Sequence, residues 1–176
     1  GRTFTETGAS YMGFAASAVL ATALSEKPFY ALAFTGDGSF TMSPQVLIDG
    51  VEHGARGCIL LLDNRRMGAV SGLQHAQYEA DHATSDAVQV DYVSWARSVK
   101  GVKALDGGRT VDSLVAALDQ AKVHDGLSLV HVPVYFGHDE LGGMGYDGTD
   151  LVGFRKSGTN DFYTITASSG ASEGIG

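Results

Sequence analysis

Two short apolar runs, each closed by polar residues, constrain the fold of this chain more than any other feature. Residues 29–34 and 58–62 are uninterrupted apolar stretches of strand length, typical of parallel strands that are buried on both faces. Two further strands are predicted at 102–105 and 127–132. Because helical segments separate the strands, the sequence predicts an α/β fold, a doubly wound and mostly parallel sheet with helices on both faces.

The predicted helices lie between these strands. They cover four segments: 11–24, 43–53, 90–99 and 110–122. Ser43 and Thr110 are the predicted N-caps of the second and fourth helix. The segment 65–89 is a polar stretch in which no bounds of a helix or strand are predicted. Residues 1–136 are interpreted as one domain, whereas 137–176 hold ten glycines and no core helix, which indicates a glycine-rich cover or tail.

The composition excludes several classes of function. The 176 residues include 20 Asp and Glu against 12 Lys and Arg, whereas a general nucleic-acid binder needs a basic face. A single cysteine excludes a disulfide scaffold and a cysteine-ligated zinc site. The longest apolar run, 11–24, is shorter than the roughly 20 residues that a bilayer requires. We therefore expect a cytoplasmic protein that binds neither nucleic acid nor membrane.

Polar motifs follow the first two predicted strands. A Gly-Asp-Gly-Ser motif at 36–39 closes the first strand, and Asp-Asn at 63–64 closes the second. One crossover helix separates the strands, so right-handed geometry places them near one another in the sheet. Ligands bind outside the carboxyl ends of such strands. Asp37 and Asn64 are therefore predicted to offer a carboxylate and an amide oxygen to one hard cation, most simply Mg²⁺.

The first of these motifs also fits a diphosphate. Gly36 and Gly38 let the backbone come close to such a ligand, and the Ser39 hydroxyl is a hydrogen-bond donor to it. On these residues alone, a non-catalytic phosphate- or nucleotide-binding module of flavodoxin-like topology stays open. Neither a Walker A lysine nor a Gly-x-Gly-x-x-Gly motif follows either strand, which weakens the nucleotide interpretation. A flavodoxin-like module should not need magnesium, so a requirement for magnesium would distinguish the predicted metal site from this alternative.

The whole constellation resembles the cofactor motif of the thiamine diphosphate-dependent enzymes. The family shows the same order of Gly-Asp-Gly-Ser-Phe, a crossover and Asp-Asn, with Asp37 and Asn64 at the usual separation. Residues 8–14 are similar to the loop and helix start that precede this motif. Residues 64–70 are similar to the Asn-x-x-x-Gly-x-Val stretch of the acetohydroxyacid synthase branch. The resemblance covers about 5–134 and implies the family's carboxy-terminal, diphosphate-binding domain.

This resemblance implies a site for thiamine diphosphate and Mg²⁺. Asp37, the side chain of Asn64 and the backbone carbonyl of Arg66 would bind the metal ion. Met12 would support the bent cofactor, and the carbonyl of Ser10 would face its 4′-amino group. Four residues would hold the diphosphate through side chain or backbone: Gly38, Ser39, Gly68 and Ala69.

Two departures from the family pattern imply a partner. The chain begins without the strand and helix that usually open this domain, and nothing in it resembles the pyrimidine-binding domain that supplies a catalytic glutamate. We therefore expect that domain on another part of the protein or on a partner subunit, in a homodimer or tetramer. Within this chain, Gln74 and His75 are candidate donors or an acid/base pair, although a position on a helix surface explains them equally well.

The resemblance is less decisive about the reaction. Decarboxylases of the family often carry a glutamate in place of Val70, and acetohydroxyacid synthases a tryptophan in place of Leu73. Leu73–Gln74 and residues 145–147 instead resemble the trihydroxycyclohexanedione hydrolases of the same branch. The implied reaction cleaves or forms a C–C bond next to a carbonyl of a small substrate, with ring-opening hydrolysis of a cyclic 1,2-dione as the leading interpretation. A 2-oxo acid synthase or decarboxylase of the acetohydroxyacid synthase type is the alternative.

Overall fold

A computed structural model describes residues 3–4, 11–84 and 88–134, together with the backbone of 150–151 and 154–155. The chain divides into two compact units. The first comprises Gly1–Asn64 and Val88–Val134, and the second Arg65–Ala87 and Tyr135–Gly176. The domain boundary predicted after residue 136 stays a prediction.

A four-stranded parallel sheet forms the centre of the first unit. Its strands are β1 (Ala31–Gly36), β2 (Gly57–Asp63), β3 (Lys103–Asp106) and β4 (Leu127–Pro133), in the order β1-β2-β4-β3. All three neighbouring pairs run parallel, with β4 inserted between β2 and β3. The predicted parallel α/β sheet is confirmed, and each strand begins or ends within about two residues of its predicted position.

Within the described residues, five helices belong to the first unit and one to the second. In the first unit they are α1 (Phe14–Ala23), α2 (Asp37–Phe40), α3 (Val46–Glu52), α5 (Tyr92–Arg97) and α6 (Val111–Lys122). The helix of the second unit is α4 (Gly68–Tyr78), which the sequence pattern did not predict. Among all helices of the described residues, none combines the length and the apolar character that crossing a membrane demands.

The helices cover both faces of the sheet, as predicted. On one face, the α1, α3 and α5 side chains pack against the odd-numbered residues of β1, β2 and β4, with Ile59, Leu61 and Leu129 fully buried. On the other face, α6 packs on the even-numbered residues of β2 and β4, which include Cys58 and Val130. Alternate residues of a strand point to opposite faces, which explains the uninterrupted apolar run that the sequence shows in β2.

Of the two predicted N-caps, one is confirmed and one is wrong. Thr110 caps α6 as predicted, because its hydroxyl accepts a hydrogen bond from Ser113 N–H within a complete capping box. Ser43 does not cap α3, whose N-cap is Gln45. The Ser43 hydroxyl instead lies against Gly13, where a Cβ atom would stand 2.6 Å from it. A contact between distant parts of the chain thus replaces the predicted local cap.

In the predicted tail, 137–176, the described part is a short antiparallel pair. It consists of β5 (Asp150–Leu151) and β6 (Phe154–Arg155). The remainder of the tail lies outside the described residues, and so do Ser10 and 145–147.

Candidate functional site

The first strand delivers a buried carboxylate to the edge of the sheet. β1 ends at Gly36, which is extended, and the chain turns at once into α2, whose first residue is Asp37. The Asp37 side chain is only 2% exposed. A buried carboxylate is costly unless a cation or hydrogen-bond donors compensate its charge. This position is therefore chemically suited to a metal ligand.

The second strand delivers an amide to the same edge. β2 ends at Asp63, and Asn64 follows directly. In the parallel pair, Gly36 lies opposite Leu62, so Asp37 and Asn64 come after the ends of adjacent strands. The structure thus gives these two residues the juxtaposition that the topology predicted.

A third segment is tied to this edge by a long-range hydrogen bond. Gly13 N–H donates to the Ser39 Oγ atom at 2.8 Å, across 26 positions of the chain. Gly13 has a φ of 91°, in the left-handed region that favours glycine. Because the Ser39 hydroxyl accepts this bond, its own proton remains to be donated to a ligand. Met12, next to Gly13, is 42% exposed.

In the second unit, Arg66, Gly68 and Ala69 lie at the start of α4. The Arg66 side chain makes an ion pair with Asp81 at 3.2 Å and donates to the Ser71 hydroxyl at 3.1 Å. Its guanidinium is thereby engaged within its own unit. Gly68 and Ala69 are the first two residues of α4.

Gln74 fastens the segment that follows α4. Its Oε1 atom accepts from His82 N–H at 2.8 Å, and its Nε2 atom donates to the His82 carbonyl at 3.2 Å. Both ends of the amide are thus used to hold one backbone residue, which gives Gln74 a structural part in this unit. His75 is exposed on the same helix. A catalytic part for Gln74 or His75 stays a prediction.

Sequence reasoning missed a second polar pair in the first unit. His131 Nε2 lies 2.9 Å from Asp63 Oδ2, and the imidazole ring lies 5.8 Å from the ring of Tyr92. The pair joins residues 68 positions apart. The signal in the sequence for the pair of His131 and Asp63 was strand alternation, since side chains two apart on a strand share a face. Because the register of β2 against β4 is not known from the sequence, alternation does not show which residue His131 contacts.

The donor set at the sheet edge suits magnesium. A carboxylate and an amide oxygen are hard ligands of the kind that Mg²⁺ prefers. Within the part of the chain that the structure describes, no group of three or more His, Cys, Asp or Glu forms a metal cluster. Burial raises the pKa of the Cys58 thiol to about 11, so at neutral pH it is neither a soft metal ligand nor a nucleophile.

Comparison with known sequences agrees with this chemistry. A family model described as "Thiamine pyrophosphate enzyme, C-terminal TPP binding domain" matches residues 1–132. A 3D-(3,5/4)-trihydroxycyclohexane-1,2-dione hydrolase from Shouchella clausii is 33% identical over 134 residues, which are 73% of this chain and 21% of that protein. The protein of the same name from Bacillus subtilis is 31% identical, with the same coverage. The chain thus spans about a fifth of the length of these relatives.

Solved structures share the fold. A benzoylformate decarboxylase from Polynucleobacter necessarius superposes with a TM-score of 0.63 at 24% identity, over 72% of this chain and 24% of that one. A thiamine diphosphate-dependent 4-hydroxybenzoylformate decarboxylase from Rhodococcus jostii superposes with a TM-score of 0.66 at 22% identity, over 73% of this chain and 24% of that one. At these identities the likeness concerns the architecture of the domain.

Proposed function

Because this chain belongs to the thiamine pyrophosphate enzymes, as their C-terminal TPP-binding domain, we propose that Asp37 and Asn64 bind Mg²⁺ and, through it, the diphosphate of thiamine diphosphate. The observation that carries this proposal is the position of both side chains directly after two adjacent parallel strands. Mg²⁺ is commonly bound by one or two protein oxygens and shared with phosphate groups. The backbone carbonyl of Arg66 is the proposed third protein ligand.

The remaining residues of the site would orient the cofactor. We expect Ser39 to donate its hydroxyl proton to a diphosphate oxygen, which is supported by the bond that its oxygen already accepts from Gly13 N–H. Gly36 and Gly38 allow the backbone to approach the same group. The apolar Met12 is the proposed support for the bent cofactor, whose 4′-amino group would face the carbonyl of Ser10.

Two residues at the start of α4 are the other proposed contacts of the diphosphate. Gly68 and Ala69 would hold it through their backbone. When bound, the cofactor supplies the chemistry that breaks or forms a C–C bond next to a carbonyl group. The contribution of this chain is to bind and orient it.

We further propose that activity needs a partner. The acid that protonates the aminopyrimidine would come from a pyrimidine-binding domain, on the same polypeptide or on a partner subunit of a cytoplasmic homodimer or tetramer. The chain alone is then expected to bind the cofactor weakly and to be inactive. In its complete form, the protein would act on a small carbonyl substrate.

Calorimetry of the complete gene product tests the binding proposal. We expect thiamine diphosphate to bind only with Mg²⁺, and Asp37→Asn to weaken binding by at least about tenfold, since it removes the charge of a metal ligand. Asp119→Asn, on the exposed surface of α6, is the matched control and should bind as the wild type. Magnesium-independent binding, or equal affinity in Asp37→Asn, would contradict the proposed site.

For the reaction, we propose ring-opening hydrolysis of a cyclic 1,2-dione. The support is the name shared by the curated relatives that are 30–33% identical to this chain. The test is incubation of the complete gene product with a cyclic 1,2-dione and, separately, with pyruvate. Ring opening supports the proposal. Release of carbon dioxide from pyruvate without ring opening would assign the chain to a 2-oxo acid synthase or decarboxylase instead.

A further inference from the structure

We infer that His131 is a positioning residue for the metal site, because it holds the elements that carry Asn64 and Asp37. The inference rests on the proposed function of those two residues. It assigns His131 no contact with metal, cofactor or substrate. Its effect is transmitted through two neighbours, Asp63 on one side and Tyr92 on the other.

The first link is a hydrogen bond to the residue that precedes Asn64. His131 Nε2 lies 2.9 Å from Asp63 Oδ2, and the two side chains are only 18% and 10% exposed. An ionised carboxylate only accepts hydrogen bonds, so the imidazole donates from Nε2. The Asp63 carbonyl also accepts from Val134 N–H at 2.8 Å. Asp63 is thus fixed through side chain and backbone, and this fixes where the chain turns into Asn64.

The second link runs through aromatic rings to the helix that carries Asp37. The His131 ring lies 5.8 Å from the ring of Tyr92, and Tyr92 meets Phe40 edge to face at 6.1 Å. Both Tyr92 and Phe40 are fully buried. Phe40 is the last residue of α2, and Asp37 is the first. A continuous series of packed side chains therefore connects the two proposed ligand-bearing segments.

The position of His131 itself is fixed by its neighbours. Its carbonyl accepts from Gly107 N–H at 2.8 Å, and a Cβ atom on Gly107 would lie only 2.9 Å from that oxygen. The close approach needs glycine and holds the backbone of β4 at this point. Because the backbone of β4 is held at this point, the hydrogen bond ties Asp63 to a fixed strand. Tight anchoring of this kind around metal ligands has measurable effects on metal affinity.

Three variants separate this role from a general contribution to stability. His131→Phe keeps a ring against Tyr92 and removes the hydrogen bond to Asp63. His131→Gln keeps a donor near the position of Nε2. His124→Leu changes a histidine three residues before the first residue of β4 and is the control. In the complete gene product, the affinity for Mg²⁺ at saturating thiamine diphosphate is measured beside the thermal midpoint without metal.

We expect His131→Phe to lower the affinity for Mg²⁺ by about tenfold or more. His131→Gln should restore it to within about threefold of the wild type, and His124→Leu should leave it unchanged. In an Asp63→Ala background, His131→Phe should have no further effect on Mg²⁺ affinity, because the shared hydrogen bond is already absent.

Two results overturn the inference and differ from a failure of the proposed function. One is a folded His131→Phe protein with wild-type Mg²⁺ affinity. The other is full additivity of His131→Phe and Asp63→Ala, which would mean that the two residues act independently. If His131→Phe does not fold, His131→Gln decides, since an affinity far below the wild type in that folded variant also overturns the inference. A wild-type protein that binds no Mg²⁺ and thiamine diphosphate would instead overturn the proposed function.

Discussion

Gly13 shows how one residue without a side chain sets the geometry of the proposed site. Its φ of 91° is strained for any other residue, and a Cβ atom there would lie 2.6 Å from the Ser43 hydroxyl. We expect Gly13→Ala to lower the free energy of unfolding by about 2–3 kcal/mol, from backbone strain and collision together. Gly54 is the matched control, because its φ is 65° and nothing lies within 4 Å of its Cβ position.

Urea unfolding measures the difference between the two glycines. Gly54→Ala should cost only the strain of the left-handed backbone, about 1 kcal/mol. Combining Gly13→Ala with Ser43→Ala removes the colliding hydroxyl and should bring the cost close to that of Gly54→Ala. Equal costs for the two single variants would show that the contact with Ser43 is unimportant.

Because of Cys58, we expect the stability of the fold to fall at alkaline pH. Burial raises the pKa of its thiol from 9.0 to about 11, and burial together with Cys58 also raises the pKa of Tyr30. The unfolded chain loses these protons first, so the stabilisation is complete below about pH 9 and is lost as the pH rises toward 11. We expect the urea midpoint to fall across this range, and to fall less in Cys58→Ala. The same slope in both proteins would rule out the thiol as a cause.

At the scale of elements, the sequence predicts the helices and strands that have a clear local pattern of apolar residues and caps. The two apolar runs became β1 and β2, and Thr110 caps α6 as predicted. Helix α4 was missed because it contains two glycines and has no clear apolar stripe. Its boundaries instead depend on side-chain contacts such as that of Gln74 with His82, which no local pattern encodes.

The Gln74 contact carries a prediction of its own. Gln74→Ala removes both hydrogen bonds to His82 and should speed hydrogen exchange at the amides of His82 and Met67, since Met67 N–H donates to Thr84 in the same segment. Gln120→Ala is the control, because the Gln120 amide donates within its own helix. Unchanged exchange at His82 in Gln74→Ala would mean that other contacts fasten the segment.

At the scale of the whole molecule, topology explains why the juxtaposition of Asp37 and Asn64 was predictable. Parallel strands place their carboxyl ends at one edge of the sheet. Polar residues that directly follow two adjacent strands therefore indicate a candidate site without any knowledge of packing. The contacts that refine the site were not predictable in this way. Gly13 meets Ser39 across 26 positions and His131 meets Asp63 across 68, and such pairs follow only from the assembled sheet.

The same sheet exposes an apolar surface along β1. Among the described strands β1 lies at an edge, and Leu32 and Phe34 are 48% and 60% exposed. Leu32 and Phe34 lie on the same face of the sheet as Cys58 and Leu60 of the neighbouring strand. Helix α6 packs on Cys58 and Leu60. An edge strand with exposed apolar side chains favours pairing with another chain. The net charge of −8 opposes the approach of a second copy.

These opposed effects predict salt-dependent self-association of the 176-residue chain when it is produced alone. We expect its sedimentation coefficient to rise with protein concentration, and more so at about 1 M NaCl, where the Debye length is about 3 Å. Phe34→Lys places a charge on the exposed edge and should abolish the association. Val115→Lys, at an exposed position of α6, adds the same charge away from the edge and should reduce association only slightly. If both variants reduce it equally, net charge rather than the β1 edge governs self-association.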